Sequence, residues 1–305
     1  MRLVVNNQEI KYTSLDWSGS KYNAARQISY TYPSNLYYSV VAGNTVTLFD
    51  GTTKLFQGTV FIKEKNHKSN EMSITAYDPL IYFLQSEGAY NFKTTTLGTV
   101  VKRVAADVKV PVGNIADSGT SIKLEPMISE NLYEVLMTAC KEAKKKTKKV
   151  YMPVIENGKL SIIVAGQKVS NFDLLNGINL KDSTYSESIE NVKNKIIIVD
   201  ENGAKIGQVT GEGLTTWGTF QGVYQKEDGK NATTEAKELL HGLDREASIE
   251  ALGNTKCISG KAVSVKDPIT NLTGLFYIDE DTHTWQNGQY SMSLQLNFKN
   301  VEENE

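Results

Sequence analysis

Hydrophobic and polar positions alternate with a period of two along much of the chain, the pattern of strands that bury one face. Val46-Thr47-Leu48-Phe49 runs into Asp50-Gly51, a pair that accepts the positive φ of a tight turn. The chain then returns through Lys54-Leu55-Phe56 to Thr59-Val60-Phe61-Ile62. After a polar loop around Asn66 to Asn70, Met72-Ser73-Ile74-Thr75-Ala76 supplies a third strand. The alternation returns from about residue 183, with Val192 to Val199 before the turn Glu201-Asn202-Gly203. Near the end, Trp285-Gln286-Asn287-Gly288 leads into a strand carrying Tyr290, Met292, Leu294, Leu296 and Phe298 on one face.

Between about residues 94 and 172 the period changes. Leu97, Val100, Val101, Val104, Ala105 and Val108 form the stripe of a helix that Pro111 and Gly113 stop. A second helix is expected from Ser129 as N-cap, with Leu132, Val135, Leu136, Ala139 and Ala143 inward. Val150 to Ile155, Asn157-Gly158 and Lys159 to Val164 then read as a hairpin. Farther on, Ala236, Leu239, Leu240, Leu243 and Ala247 predict a helix near 233–247. The expectation is a mainly β protein, α+β overall, with antiparallel β domains over 1–85 and 183–305 and an α+β domain over 86–182 between them.

Composition narrows the functional classes. At 305 residues a single core tends to divide. With 33 Lys+Arg against 35 Asp+Glu there is no long-range field to capture nucleic acid or an anionic membrane. Cys140 and Cys257 are too far apart in sequence for a metal knuckle and read as small core residues. The apolar start Leu3-Val4-Val5 is too short for a signal peptide, and Ile196 to Val199 is too short for a membrane span, so no membrane anchor is expected.

Chemistry is sparsely signalled. The histidines are His67, His241 and His283, no Gly-x-Ser-x-Gly occurs, and Gly211-Glu212-Gly213 lacks the strand-to-helix setting of a phosphate loop. No catalytic residue, no metal ligand and no cofactor is assigned, and an enzyme is not expected. Asp279-Glu280-Asp281 with His283 reads as an exposed acidic loop, since adjacent residues on a strand end point in alternating directions. Lys141, Lys144, Lys145, Lys146, Lys148 and Lys149 read as a solvated helix end, with DNA or an acidic neighbour as the functional alternative. Trp217 to Tyr224 combines aromatics with glycines and reads as a protein interface, with carbohydrate binding as the other option.

An internal repeat is more informative than any motif. Gly43 to Asp50 matches Gly260 to Asp267 at an offset of 217, through Gly, two apolar positions and Asp. Gly58, Ile62, Glu64 and His67 meet Gly274, Ile278, Glu280 and His283 at 216, and Met72-Ser73-Ile74 meets Met292-Ser293-Leu294 at 220. The ordered matches imply a duplicated β domain, in which His67 and His283 would make a shared structural hydrogen bond. An n-mer of such a chain presents a ring of 2n similar modules.

These residues also carry a resemblance. Val46 to Gly58, Ala76-Tyr77-Asp78-Pro79-Leu80, Ser186 to Val192 and Gly274-Leu275-Phe276-Tyr277-Ile278 with His283 are similar to the baseplate hub proteins of contractile phage tails. The PBSX-type prophage hubs, kin to late control protein D, are the group most resembled. The resemblance covers nearly the whole chain and implies two tandem related antiparallel β-barrel domains flanking the α+β domain. It implies a homotrimeric structural hub that adapts a hexameric tail tube to a trimeric central spike. Its partners would be the tube protein, the spike, other baseplate proteins and transient DNA in the lumen. The setting would be a virion or tail-like particle assembled in the bacterial cytoplasm. A soluble carbohydrate-binding or adhesin-type module is the alternative.

Overall fold

The computed structural model describes residues 1–21, 25–116 and 119–298. It opens with β1 (Arg2–Val5), β2 (Gln8–Ile10), β3 (Ser14–Ser20), β4 (Gln27–Pro33), β5 (Thr45–Asp50), β6 (Thr53–Asn66) and β7 (Glu71–Tyr77). A mixed segment follows with α1 (Leu80–Gln85), β8 (Glu87–Tyr90), β9 (Lys93–Thr96), α2 (Leu97–Asp107), β10 (Val112–Ile115), β11 (Ser121–Leu124), β12 (Met127–Asn131), α3 (Leu132–Thr147), β13 (Tyr151–Glu156) and β14 (Lys159–Val164). Next come β15 (Gln167–Leu175), β16 (Leu180–Ser188), β17 (Lys195–Val199), β18 (Lys205–Thr210), β19 (Gln221–Gln225) and α4 (Ala232–Glu238). The chain closes with β20 (Asp244–Leu252), β21 (Lys261–Asp267), β22 (Leu272–Gln286) and β23 (Gln289–Asn297).

The described residues divide into two compact units, one from residues 1–183 with 248–298 and the other from 184–247. The smaller unit lies in sequence inside the 183–305 span that reads as one β domain. It is a three-stranded sheet in the order β18-β17-β19, with Ile196, Ile198 and Val209 packed against Ala236 of α4. Here the expected helix near 233–247 is corrected: α4 has 7 residues and Asn231 caps it by accepting from the Thr233 and Thr234 amides. Ala247 belongs to β20 instead. Ala247, Ile249 and Ala251 are buried at period two, so strand pairing overrides the helical stripe that Leu239, Leu240 and Leu243 suggest.

In the larger unit a mainly β architecture surrounds an α+β segment. One sheet follows the path β16-β20-β23-β22-β3-β4-β7-β6-β5-β1-β2, with β21 and β15 off it. The path shows no pairing that closes it on itself among the described residues. The early and late β regions are therefore joined edge to edge, through antiparallel β3 and β22 from Glu280↔Ser20 to Gln286↔Ser14. Period-two burial makes one core of the first region: Leu15 and Trp17 of β3, Ile28, Tyr30 and Tyr32 of β4, Val46 and Leu48 of β5, and Ile74 and Ala76 of β7, with Trp285 from β22. Hairpins fall where the sequence places them. Asn157 and Gly158 have φ of 53° and 77°, and Asn287 and Gly288 have 52° and 74°, the positive values that a two-residue turn between twisted strands demands.

The α+β segment buries Leu97, Val100, Val101, Val104 and Ala105 of α2 against Leu132, Val135, Leu136, Ala139 and Ala143 of α3. The N-cap of α3 is Asn131, whose side chain accepts from the Glu134 amide at 2.8 Å; Ser129 sits in β12 with φ of 60°. This corrects the expected cap by two residues. Helix α1 was not expected, because Leu-Ile-Tyr-Phe-Leu offers no polar face to mark a period.

Candidate assembly surfaces

The duplication is visible in hydrogen-bond register. Strands β5-β6-β7 and β21-β22-β23 are three-stranded meanders entered through Gly43 and Gly260, whose φ values are 88° and 87°. In β6 the pairing to β7 slips between Val60 and Ile62, and in β22 the pairing to β23 slips between Ile278 and Glu280. A bulge re-aims the strand, so a shared position is strong evidence of common construction. The bulges fix the offset of the middle strand at 218, two residues from the identity-based 216. His67 therefore does not match His283. Lys65 lies opposite Met72 as His283 lies opposite Met292, while His67 sits exposed in the turn after β6.

The bulge also changes the acidic run. It lets Asp279 and Asp281 both turn inward, 6% and 1% exposed, so the run is not the exposed loop that its sequence suggests. Each acid has its own partner. Lys21 Nζ lies 2.6 Å from Asp279, Ser20 Oγ donates to Glu280 at 2.9 Å, and Arg26 makes two bonds to Asp281, the Nη1–Oδ1 bond being 2.9 Å. The Ser259 amide donates to Asp281 at 2.6 Å, and the Arg26 guanidinium lies 4.3 Å from the centre of the Trp17 ring. Burial opposes the Asp281 charge, but Arg26 and the His283 hydrogen bond outweigh it and hold the carboxyl below its ordinary value. No three His, Cys, Asp or Glu side chains gather as a metal set among the described residues.

His283 is fully buried in the same joint. Its Nε2 lies 3.1 Å from the Cys257 carbonyl and 3.3 Å from Asp281 Oδ2, and its Nδ1 lies 2.9 Å from the Tyr290 hydroxyl. Trp17 and Trp285 flank the ring at 5.1 and 6.2 Å. Burial pushes the Cys257 thiol up to about 12 and raises the Tyr290 phenol as well, so both stay neutral. Asp78, whose amide donates to the Arg26 carbonyl at 2.9 Å, has its carboxyl raised to about 7 by burial against the pull of the Leu80 amide and Arg26. Arg26, Lys21 and Ser259 were not singled out by sequence. A signal was present, since Asp281 and His283 share the inward parity of Trp285, and a buried acid at such a position requires a cation.

The lysine-rich stretch ends α3 as expected. Lys148 takes the left-handed cap position with φ of 60°, Lys145 pairs with Glu142 at 2.6 Å, and Lys146 donates to the Ser121 carbonyl. In the smaller unit, Asn194 organises Trp217 to Tyr224: its Nδ2 donates to the Gly218 carbonyl at 2.8 Å and its Oδ1 accepts from the Phe220 amide at 2.9 Å. The aromatics there are half-buried, and Val223 is the most exposed apolar side chain of the segment, at 61%. No helix among the described residues is long and apolar enough to cross a membrane.

Known proteins match this architecture over almost its full length. The model of the YQBQ-like family matches residues 15–297. The phage-like element PBSX protein XkdQ of Bacillus subtilis is 25% identical over 309 residues, covering 96% of this chain and 94% of that protein. Among solved structures, the 43 kDa tail protein of prophage MuSo2 from Shewanella oneidensis superposes with a TM-score of 0.73 at 14% identity, covering 97% of each chain. The E. coli c3393 protein, a type VI secretion component described as structurally similar to T4 tail proteins gp27 and gp5, gives 0.56 at 6% identity, covering 97% of this chain and 76% of that one. Matched by the family model from β3 to the end of β23, and built on a fold shared with a prophage tail protein, the chain belongs to the YQBQ-like family.

Proposed function

We propose that this protein is a structural component of a phage-type tail, and within it the baseplate hub. As a homotrimer it would adapt the hexameric tail tube to a threefold central spike. The observation that carries the reading is the duplication: two meanders with the same bulge, welded through β3 and β22. One chain thereby supplies two similar modules, and three chains supply the six that a sixfold neighbour requires. We read the modules as residues 1–85 and 183–305, with 86–182 as the α+β domain between them. The names of the relatives support the tail assignment, and the buried ion pairs at the joint suit a rigid ring with no bond-making step.

The proposed partners are the tube protein, the spike, other baseplate proteins and DNA in transit, within a virion or tail-like particle. The test is quantitative mass spectrometry of particles pelleted after prophage induction. About three copies of this chain per particle, beside a tube protein in multiples of six, is the expected result. Recovery only in the soluble fraction would overturn the reading.

A further inference from the structure

We infer that the outer edge of β6, from Ile62 to its end, is a docking site for strand β16 of a second copy of this chain, paired antiparallel and head to tail. The inference rests on the trimeric hub reading and names the contact that would build the ring. It follows from the register. Strand β22 is long enough to serve two partners on one side: Leu272 to Tyr277 pair with β21, and Glu280 to Gln286 pair with β3. Strand β6, at 14 residues against 15 for β22, has the same bulge and the same meander, and its residues up to Thr59 pair with β5. Beyond the bulge no strand occupies the corresponding side of β6 among the described residues.

Burial records the difference. In β22 this half alternates buried and half-buried, with Asp281, His283 and Trp285 covered; in β6, Ile62 is 43% exposed and Lys63, Glu64 and Lys65 are exposed as well. The missing occupant is identified by its place in the repeat. In the first module the order is β3-β4-β7-β6, and in the second it is β16-β20-β23-β22. Strand β16 is thus the counterpart of β3, and it stands at the end of the hydrogen-bonded path, where β3 instead reaches on to β22.

A strand that plays β3's part in the second module has one equivalent place to go, which is the β6 edge of the next copy. The chemistry agrees. Strand β16 exposes Asp182 on the face it shares with Thr184 and Ser186, and the β6 edge exposes Lys63 and Lys65 on one face, so Asp182 can meet a lysine across the pair, while Glu187 on the opposite face of β16 is held by Arg245 at 3.2 Å. Such a contact uses different surfaces on the two copies, so it propagates until rotation closes it, and a threefold closure makes six alternating modules. It also gives strand partners to two edges that no strand pairs with among the described residues.

The test uses assembled particles. Cysteines are placed in pairs, one at Lys63 or Lys65 and the other at Asp182, Thr184 or Ser186, in a chain whose own Cys140 and Cys257 are both buried. Oxidation should convert most of the chain to a species of three chain masses for at least one pair. In parallel, zero-length carbodiimide coupling of unmodified particles containing light and heavy chains should join Lys63 or Lys65 of one isotope to Asp182 of the other. Particles that hold about three copies yet give neither product would overturn the strand pairing and leave the hub reading standing. Particles that lack the chain would overturn both.

Discussion

Replacing Asp281 by alanine removes the carboxylate on which the joint between β3 and β22 converges. The side chain of Asp281 is fully buried and that of Arg26 is 15% exposed, so the substitution strands a guanidinium that water reaches poorly. It also leaves the Ser259 amide without its acceptor. Losing one member of a buried pair costs roughly 3–5 kcal/mol, and the partial exposure of Arg26 favours the lower half of that range. Replacing the pair together, as Arg26→Met with Asp281→Leu, strands no guanidinium and leaves the Ser259 amide without its acceptor, at about 1–3 kcal/mol. The double variant should therefore recover about 1 kcal/mol or more over the single one. Guanidinium unfolding followed by tryptophan fluorescence reads this directly, since Trp17 and Trp285 lie in the joint. The folded carboxyl sits below its ordinary value, so its contribution is present above about pH 4 and is lost as pH falls through that lower value. The gap between parent and Asp281→Ala should narrow accordingly in acid. A single variant as stable as the parent, or a double variant no better than the single, would show that the Arg26–Asp281 pair does not hold the joint.

Asp78 gives the opposite pH dependence. Its folded carboxyl is raised to about 7, so stability falls as pH rises from about 4 to 7, and Asp78→Asn should be more stable than the parent at pH 8 by about 2–4 kcal/mol but not at pH 4, as thermal melts at the two pH values will show. Gly58→Ala places a Cβ 2.3 Å from the Tyr77 carbonyl oxygen and 2.5 Å from the Phe56 ring, and should cost roughly 1–3 kcal/mol in chemical denaturation. Asn131→Ala should cost about 0.5–2 kcal/mol and Ser129→Ala much less, which denaturation of the two variants side by side will distinguish.

Local chemistry was legible in the sequence. Asn157-Gly158 and Asn287-Gly288 set their own turns, and the stripe of α2 is decided within one helix. Where two periods compete, the sequence cannot arbitrate. Leu239 to Ala247 satisfy a helix and Ala247 to Ala251 a strand, and the outcome depends on pairing in β20. The duplication was legible too, but matching Gly, Glu and His by identity shifted β22 by two residues, because a bulge leaves no mark in residue identity. The joint was the least legible feature, since the Arg26–Asp281 pair spans 255 residues and no local pattern links β3 to β22. The paired acids at 279 and 281 pointed toward it, for the bulge that turns both inward makes each need a cation.

The most direct test of the account is a cryo-electron microscopy reconstruction of the induced particle at the distal end of its tail tube. The expected result is a ring of three copies in which residues of β5–β7 and of β21–β23 alternate around the axis as six similar modules, between sixfold tube and threefold spike. A ring of six copies, or this chain anywhere other than between tube and spike, would contradict it.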